Sequence, residues 1–386
     1  MFKFMGYPRP DGTAGIRNYV VIVPSVGCVN GTVERIAKMA PGSVPLFHSH
    51  GCGRMGIDLS IHMKTLVNLC NNGNVAAVLV VGLGCELLKG EKLYDEIKAN
   101  GKPVEFLNVQ TDGGSLKTAE KGAAIVRKML EQAAGIEKKE FGLDKIILGL
   151  ECGGSDALSG VTANPATGRA ADWIVNNGGT AILTEITEMT GTAHIMKKRA
   201  ASRALGEEIE AMINAQEKMA REIMGPLADT VISPGNMDGG MSSIREKSLG
   251  CICKAGDSPI NGIVDYSEIP RGKGLYIMNG PGYDIDSITG LVASGAQLMI
   301  FTTGRGTPIG FPICPVIKVA SNSALYHAME DDMDINAGKI VEGTSLDDIG
   351  HEMIEFVKRV IQGERPKAEI NQSDSFISIY TINPSF

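Results

Sequence analysis

Short, unbroken hydrophobic runs alternate along this chain with longer stretches whose apolar residues recur at three- and four-residue spacing. The first kind suits strands buried on both faces, the second helices with one face on a core. Residues 19–26 (YVVIVPSV) open the series, followed by Gly27-Cys28-Val29-Asn30-Gly31 and a helical stretch over 32–39. A strand at 44–47, a turn carrying His48 and His50, and a helix over about 58–70 come next. Residues 75–81 (VAAVLVV) are apolar throughout, the strongest strand in the chain, and end in Gly82-Leu83-Gly84-Cys85-Glu86. A helix over 89–99, a strand over 103–109 and a helix over 115–132 complete this half. Such alternation implies right-handed crossovers and a parallel sheet. Residues 1–137 therefore predict a Rossmann-like domain.

Residues 135–142 (GIEKKEFG) are polar, charged and bounded by glycines, which places a boundary there. The pattern restarts at 145–150 (KIILGL) and runs into Glu151-Cys152-Gly153-Gly154-Ser155-Asp156. Next are a helix over 168–176, a strand over 180–184 and Ala-, Glu-, Lys- and Met-rich helices over 194–224, broken near Gly206. Residues 225–256 are rich in Gly, Ser and Asn without a period, and long irregular segments of this kind are usually functional or mobile. Strands at 275–278 and 297–302, an amphipathic helix over 346–361 and an extended surface tail after Gly363 close the chain. The expected fold is α/β: two Rossmann-like domains with mainly parallel sheets. The second, residues 138–386, is larger and carries the long Gly-rich segment.

Composition narrows the function classes. With 37 Lys+Arg against 44 Asp+Glu, the net charge of −7 argues against nucleic acid or an anionic membrane as partner. No apolar run approaches the ~20 residues of a membrane-spanning helix. The start, MFKFMGYPRPDG, shows no apolar export segment, so a cytoplasmic location is expected. Eight cysteines in 386 residues are too sparse for a disulfide scaffold and are expected as thiols. The 48 glycines sit at the ends of apolar runs, as tight strand-to-helix turns require.

Those turns are where chemistry is expected, because ligands of open α/β sheets bind beyond the carboxyl ends of strands. Cys28, Cys85 and Cys152 each follow an apolar strand in a Gly-containing turn, and Cys52 sits in a similar one. His48-Ser49-His50-Gly51-Cys52-Gly53 offers two imidazoles and a thiol, donors that suit iron or zinc. The alternative is a loop in which one His caps a helix and Cys52 is packed. Cys52, Cys85 and Cys152 can meet over the sheet around mononuclear iron or an iron–sulfur cluster, or each can pack as a small hydrophobe. Cys251-Ile252-Cys253 reads as structural or incidental. Arg9, Asp11, Arg17 and Asn18 flank the first turn, where arginines fork onto a carboxylate or simply face solvent. Thr302-Thr303-Gly304-Arg305-Gly306-Thr307 has the composition of an anion cradle, without the Gly-Lys-Ser/Thr of a Walker loop. Gly82-Leu83-Gly84 falls short of a dinucleotide fingerprint. His62, His327 and His351 read as structural or exposed, and His194 as a helix-start residue. Lys247, in the Gly-rich segment, is a candidate base or anion contact.

Taken in order, GYPRPDGTAGIRNYV, HSHGCG, VGLGCE, LECGGSDALSGVTANPATGRAADW, EKSLGCICKAG, FTTGRGTPIG and DINAGKI resemble the altronate/galactarate dehydratase family, from Met5 to about Ile361. The resemblance implies a hydro-lyase that uses ferrous iron to turn a sugar acid into a 2-keto-3-deoxy acid. It also admits the large subunit of a sulfolactate sulfo-lyase, releasing sulfite. Longer members carry a small N-terminal SAF-type domain before the region that starts here at GYPRPDG. A separate small SAF-type subunit is therefore expected, in an oligomeric assembly. The implied roles place Cys52, Cys85 and Cys152 at the iron, with His48 or His50 as a further ligand or acid. Arg9, Arg17 and Arg305 would read the anionic end of the substrate, with Asp11, Asn18, Ser155 and Thr303 beside them. Asp156, Asn164 and Glu185 would contact hydroxyls or relay protons, and Lys247 would join them. Two other classes compete: a nicotinamide-dependent oxidoreductase and a non-catalytic sugar-acid-binding subunit.

Overall fold

The computed structural model describes residues 2–230, 232–373 and 376–385. Its strands are β1 (Lys3–Pro8), β2 (Ala14–Gly15), β3 (Tyr19–Pro24), β4 (Ser43–Pro45), β5 (Val75–Gly82), β6 (Val104–Asn108) and β7 (Lys139–Gly142). They continue with β8 (Ile147–Cys152), β9 (Thr180–Leu183), β10 (Ile260–Asp265), β11 (Gly274–Asn279), β12 (Leu298–Thr303), β13 (Val316–Ala320) and β14 (Ile335–Asn336). A parallel sheet of order β4-β3-β5-β6 forms the first half, and a parallel sheet of order β10-β11-β9-β8-β12-β13-β14 the second. A small antiparallel sheet, β2-β1-β7, joins the ends of the two halves. The α/β expectation holds.

Period-two alternation decides what each strand face buries. Val20 and Ile22 of β3 face a cluster with Val33, Ile36, Ala123 and Val126 of the helices Asn30–Met39 and Ser115–Ala134. Val21 and Val23 face the opposite way, with Leu66 and Leu69 of the helix Gly56–Asn71. That second cluster runs on through Ile288 and Leu291 of the helix Asp284–Ala293 to Met299 and Phe301 of β12, so both parallel sheets share one core.

Several elements differ from the sequence expectation, each for a local reason. The polar stretch at 135–142 carries strand β7, whose Lys139 lies opposite Gly6 of β1. The helix Asp284–Ala293 has no counterpart in the expected pattern, because it is buried almost all round, from Ser287 to Ala293, and shows no polar face. The Gly-rich segment holds short helices, Pro234–Asp238 and Ile244–Cys251, too brief to display a period. The helical break falls at residues 200–202, and Gly206 lies inside the helix Arg203–Met224. A Cβ at Gly206 would stand 2.8 Å from the Lys197 carbonyl, so this glycine lets two helices cross closely. The tail is not a surface segment throughout. Ile377 and Ile379 are buried against the first half, with Ile377 N–H donating to the Phe47 carbonyl at 2.8 Å. Residues 231, 374, 375 and 386 of these two stretches lie outside the described residues. Among the described residues no helix is long and apolar enough to cross a membrane.

Candidate metal centre

Two central strands of the larger sheet, β8 and β9, end side by side, and the groups at their ends converge on one point. Cys152 is the last residue of β8. Just after β9, Glu185 adopts a left-handed conformation (φ 66°, ψ 56°), a region few residues other than glycine visit, and starts the turn Ile186–Met189 that carries Glu188. Cys251 arrives from the last position of the helix Ile244–Cys251. Cys152 Sγ lies 3.2 Å from Glu188 Oε2, 3.7 Å from Glu185 Oε1 and 3.8 Å from Cys251 Sγ. All four residues are buried, and one ligand atom from each falls within 4.8 Å of the others. Among the described residues this is the single group of three or more His, Cys, Asp or Glu with that property.

Two lysines close the charge around it. Lys247 Nζ pairs with Glu188 Oε1, and Lys254 Nζ with Glu185 Oε2, both buried. The Cys152 N–H donates to Glu185 Oε2 at 3.1 Å. Burial pushes the Glu185 carboxyl up to about 7, against the pull of Lys254. The neighbouring Cys251 thiol, with burial, raises the Cys152 thiol. Burial works against the charge of both lysines, yet Glu188 beside Lys247 and the acidic groups around Lys254 hold them protonated. Buried charges are tolerated only when paired or coordinated. Two thiols and two carboxylates meeting at one point form a donor set that suits Fe²⁺ or Zn²⁺. The residues fit a metal. The environment stays polar behind the cluster: Ser287 Oγ donates to Glu151 Oε2 at 2.6 Å, while Glu151 Oε1 is buried without a partner.

Of the four residues, Glu188 reaches a cavity. A cavity of about 540 Å³ has Gly153, Gly154, Glu188, Asn236, Lys247 and Asp284 in its lining. Met219 and Ile223 of the helix Arg203–Met224, both exposed, also line it. Site and cavity thus stand where open α/β sheets present ligands.

Comparison with known proteins agrees with the motifs. Residues 143–383 match the family described as D-galactarate/altronate dehydratase, C-terminal, and residues 6–134 match D-galactarate dehydratase/altronate hydrolase, second domain. The chain belongs to this dehydratase family. It is 37% identical to the altronate dehydratase of Bacillus subtilis, over 93% of this chain and 73% of that protein. It is 33% identical to the galactarate dehydratase (L-threo-forming) of Escherichia coli, over 94% of this chain and 73% of that protein. It is 32% identical to the (2R)-sulfolactate sulfo-lyase subunit beta of Chromohalobacter salexigens, over 95% of this chain and 94% of that protein. All three relatives are lyases, and so is this dehydratase-family chain.

Of the residues singled out from sequence, Cys152, Glu185 and Lys247 come together at the cluster. Cys52 and Cys85 are exposed and do not belong to it. His48 is buried, with Nε2 on the Pro24 carbonyl at 2.8 Å and Nδ1 accepting the His50 N–H at 3.1 Å. His50 Nε2 accepts the Ile379 N–H at 3.0 Å. Both rings therefore hold backbone, and burial lowers each to about 4. Arg9 spends Nε, Nη1 and Nη2 on the Gly73 carbonyl, Asn18 Oδ1 and the Arg17 carbonyl. Arg17 grips Glu369 with two bonds of 2.9 and 2.8 Å and the carbonyls of Ile16, Val360 and Glu364. Asn18 Nδ2 donates to the Ala133 carbonyl, and Asp11 accepts from Thr13. The first turn fastens the two halves of the protein; its donors do not face the cavity.

Asp156 also fastens loops, accepting from Ser159 and Ser321 at 2.7 Å and from Asn322 at 2.9 Å. The expected anion cradle is occupied from within: Thr303 Oγ1 accepts the N–H groups of Arg305, Gly306 and Thr307 at 3.2, 2.9 and 3.2 Å. Arg305 itself is exposed. Asn164 links the Thr302 hydroxyl at 2.7 Å to the Gly250 carbonyl at 3.0 Å, steadying the approach to Cys251. Ser155 N–H donates to Asn236 Oδ1 at 2.8 Å and so orients an amide that lines the cavity. Sequence reasoning missed Glu188, Cys251 and Lys254. Glu188 stands three residues after Glu185 in a strand-end turn, a usable signal; Cys251 and Lys254 lie in EKSLGCICKAG, a segment of the family resemblance, but by residue pattern Cys251 is just half of a C-x-C pair.

Proposed function

We infer that this chain is the catalytic part of a metal-dependent hydro-lyase that removes water from a sugar acid such as altronate or galactarate, giving a 2-keto-3-deoxy acid. The observation that carries the reading is the buried Cys152, Glu185, Glu188, Cys251 group, whose Glu188 lines a cavity. Ferrous iron is the proposed metal, held by those four residues; Cys52 and Cys85 take no part in it. When bound, the metal supplies Lewis acidity for the negative charge that grows on the substrate carboxylate as its α-proton leaves. Lys247 attracts the anionic end of the substrate from the cavity floor. Asp284 lines the same wall, and burial raises its carboxyl, which makes it the stronger base for the α-proton. Asn236, its Oδ1 held by Ser155, presents Nδ2 to a substrate hydroxyl.

A second reading has its own support. The sulfo-lyase subunit is matched over 94% of its length, whereas the two dehydratases are matched over 73% of theirs. In that case the same deprotonation expels sulfite instead of hydroxide, and the chain works beside a separate small SAF-type subunit. The test is anaerobic purification with metal and sulfide analysis, followed by altronate, galactarate and sulfolactate offered with and without such a partner. A 2-keto acid from a sugar acid supports the first reading, and sulfite from sulfolactate the second. Binding of a sugar acid without turnover under all these conditions would overturn both.

A further inference from the structure

Cys152 and Cys251 make the one thiol–thiol contact within hydrogen-bonding reach among the described residues. Their sulfurs are 3.8 Å apart although 99 positions separate them in sequence. A disulfide needs S–S of about 2.05 Å, so the two sulfurs must approach by roughly 1.8 Å to join. One thiol ends a strand and the other ends a helix, both rigid elements that hold the pair in place. The remaining six cysteines are arranged otherwise: Cys28, Cys52 and Cys85 are exposed, Cys70 and Cys314 are buried, and the half-buried Cys253 donates its thiol to the Leu249 carbonyl at 3.3 Å. Cys152 Sγ touches Glu188, which together with Lys247 lines the cavity, so the pair lies one side chain behind the cavity wall and peroxide must pass Glu188 to meet it.

We propose that Cys152 and Cys251 are a reversible oxidation site, closed to a disulfide by hydrogen peroxide, and that closure withdraws both sulfurs from the metal centre. The step balances. One thiol attacks peroxide, giving a sulfenic acid and water; the second thiol attacks the sulfenic sulfur, forming the S–S bond and releasing a second water. Two thiols lose two electrons and two protons, and peroxide becomes two waters. Excess dithiol reverses it by exchange. The functional consequence rests on the metal reading above, whereas formation of the bond does not.

The full chain, reduced and free of metal, is treated with hydrogen peroxide, alkylated under denaturing conditions and analysed by peptide mass spectrometry. The expected product is a linked Cys152–Cys251 peptide lighter by two hydrogens, with Fe²⁺ uptake lost and then regained after dithiothreitol. Cys253→Ser keeps the link, which excludes pairing of Cys251 with its near neighbour, and Cys251→Ser abolishes it. Recovery of both residues as free thiols while Cys52 and Cys85 oxidise, or of Cys152 as sulfinic acid, would overturn the proposal. If reduced protein never takes up Fe²⁺ but the link forms, the metal reading fails and the oxidation site stands.

Discussion

Two strand-end turns in this protein look alike in sequence and behave differently in the fold. HSHGCG follows β4 and LECGGSD carries the end of β8; both set soft ligands among glycines after an apolar run. In the first, the imidazoles of His48 and His50 are consumed by backbone groups and Cys52 is left at the surface. In the second, Cys152 meets two carboxylates, a second thiol and two lysines from segments up to about a hundred residues away. The difference lies in which partners topology brings. β8 and β9 are central strands whose ends receive the helix Ile244–Cys251, whereas the end of β4, an edge strand, receives the hydrophobic tail at Ile377 and Ile379. Residue type nominates a ligand; convergence of distant groups decides whether it joins a donor set.

The largest effect expected from breaking this contrast is at Glu185. Glu185→Ala leaves Lys254 charged and unpaired in a fully buried position, a loss of about 3–5 kcal/mol in urea unfolding, together with loss of bound metal. Lys254→Met in the same background should restore much of the stability but not the metal. If Glu185→Ala alone is neutral, the buried pair is not as described.

A smaller effect tests the histidine turn. His48 sits at about 4 in the fold because burial disfavours its cation, against about 6.5 in an unfolded chain. A lowered value means that the unfolded chain binds the proton first on acidification. The stability His48 contributes is therefore intact above pH 6.5 and falls as pH drops towards 4, by roughly 2 kcal/mol at pH 5. Urea midpoints at pH 7 and pH 5 for the natural protein and His48→Gln should show a shallower decline in the variant. Equal declines would contradict a buried, neutral imidazole. The smallest effect is at Cys52 and Cys85: replacing either by Ala should change stability by less than about 0.5 kcal/mol and leave metal content alone.

Much of this architecture was legible in the sequence because continuous apolar runs such as β5, buried at every position, leave no second interpretation. The helix Leu346–Ile361 was equally plain, with its buried residues on one face. The helix Asp284–Ala293 was not, since a helix buried on nearly all sides carries no periodic signal. At the site, Cys152, Glu185 and Lys247 could be found from strand-end position and motif. Lys254 could not: nothing local distinguishes a lysine that ends fully buried on Glu185 from one in solvent. Arg9 and Arg17 misled for the same reason, because a guanidinium that binds carbonyls and Glu369 reads in sequence like one that awaits a substrate.

The central claim is that one metal ion is held by Cys152, Cys251, Glu185 and Glu188. Anaerobic titration of the full chain with Co²⁺ tests it directly, because thiolate ligands give cobalt an intense near-ultraviolet charge-transfer band. The account predicts saturation at about one equivalent, a band cut to about half in Cys152→Ser and in Cys251→Ser, and no change in Cys52→Ser or Cys85→Ser. A full band in the Cys152→Ser/Cys251→Ser double variant, with loss of the band in Cys52→Ser, would contradict it.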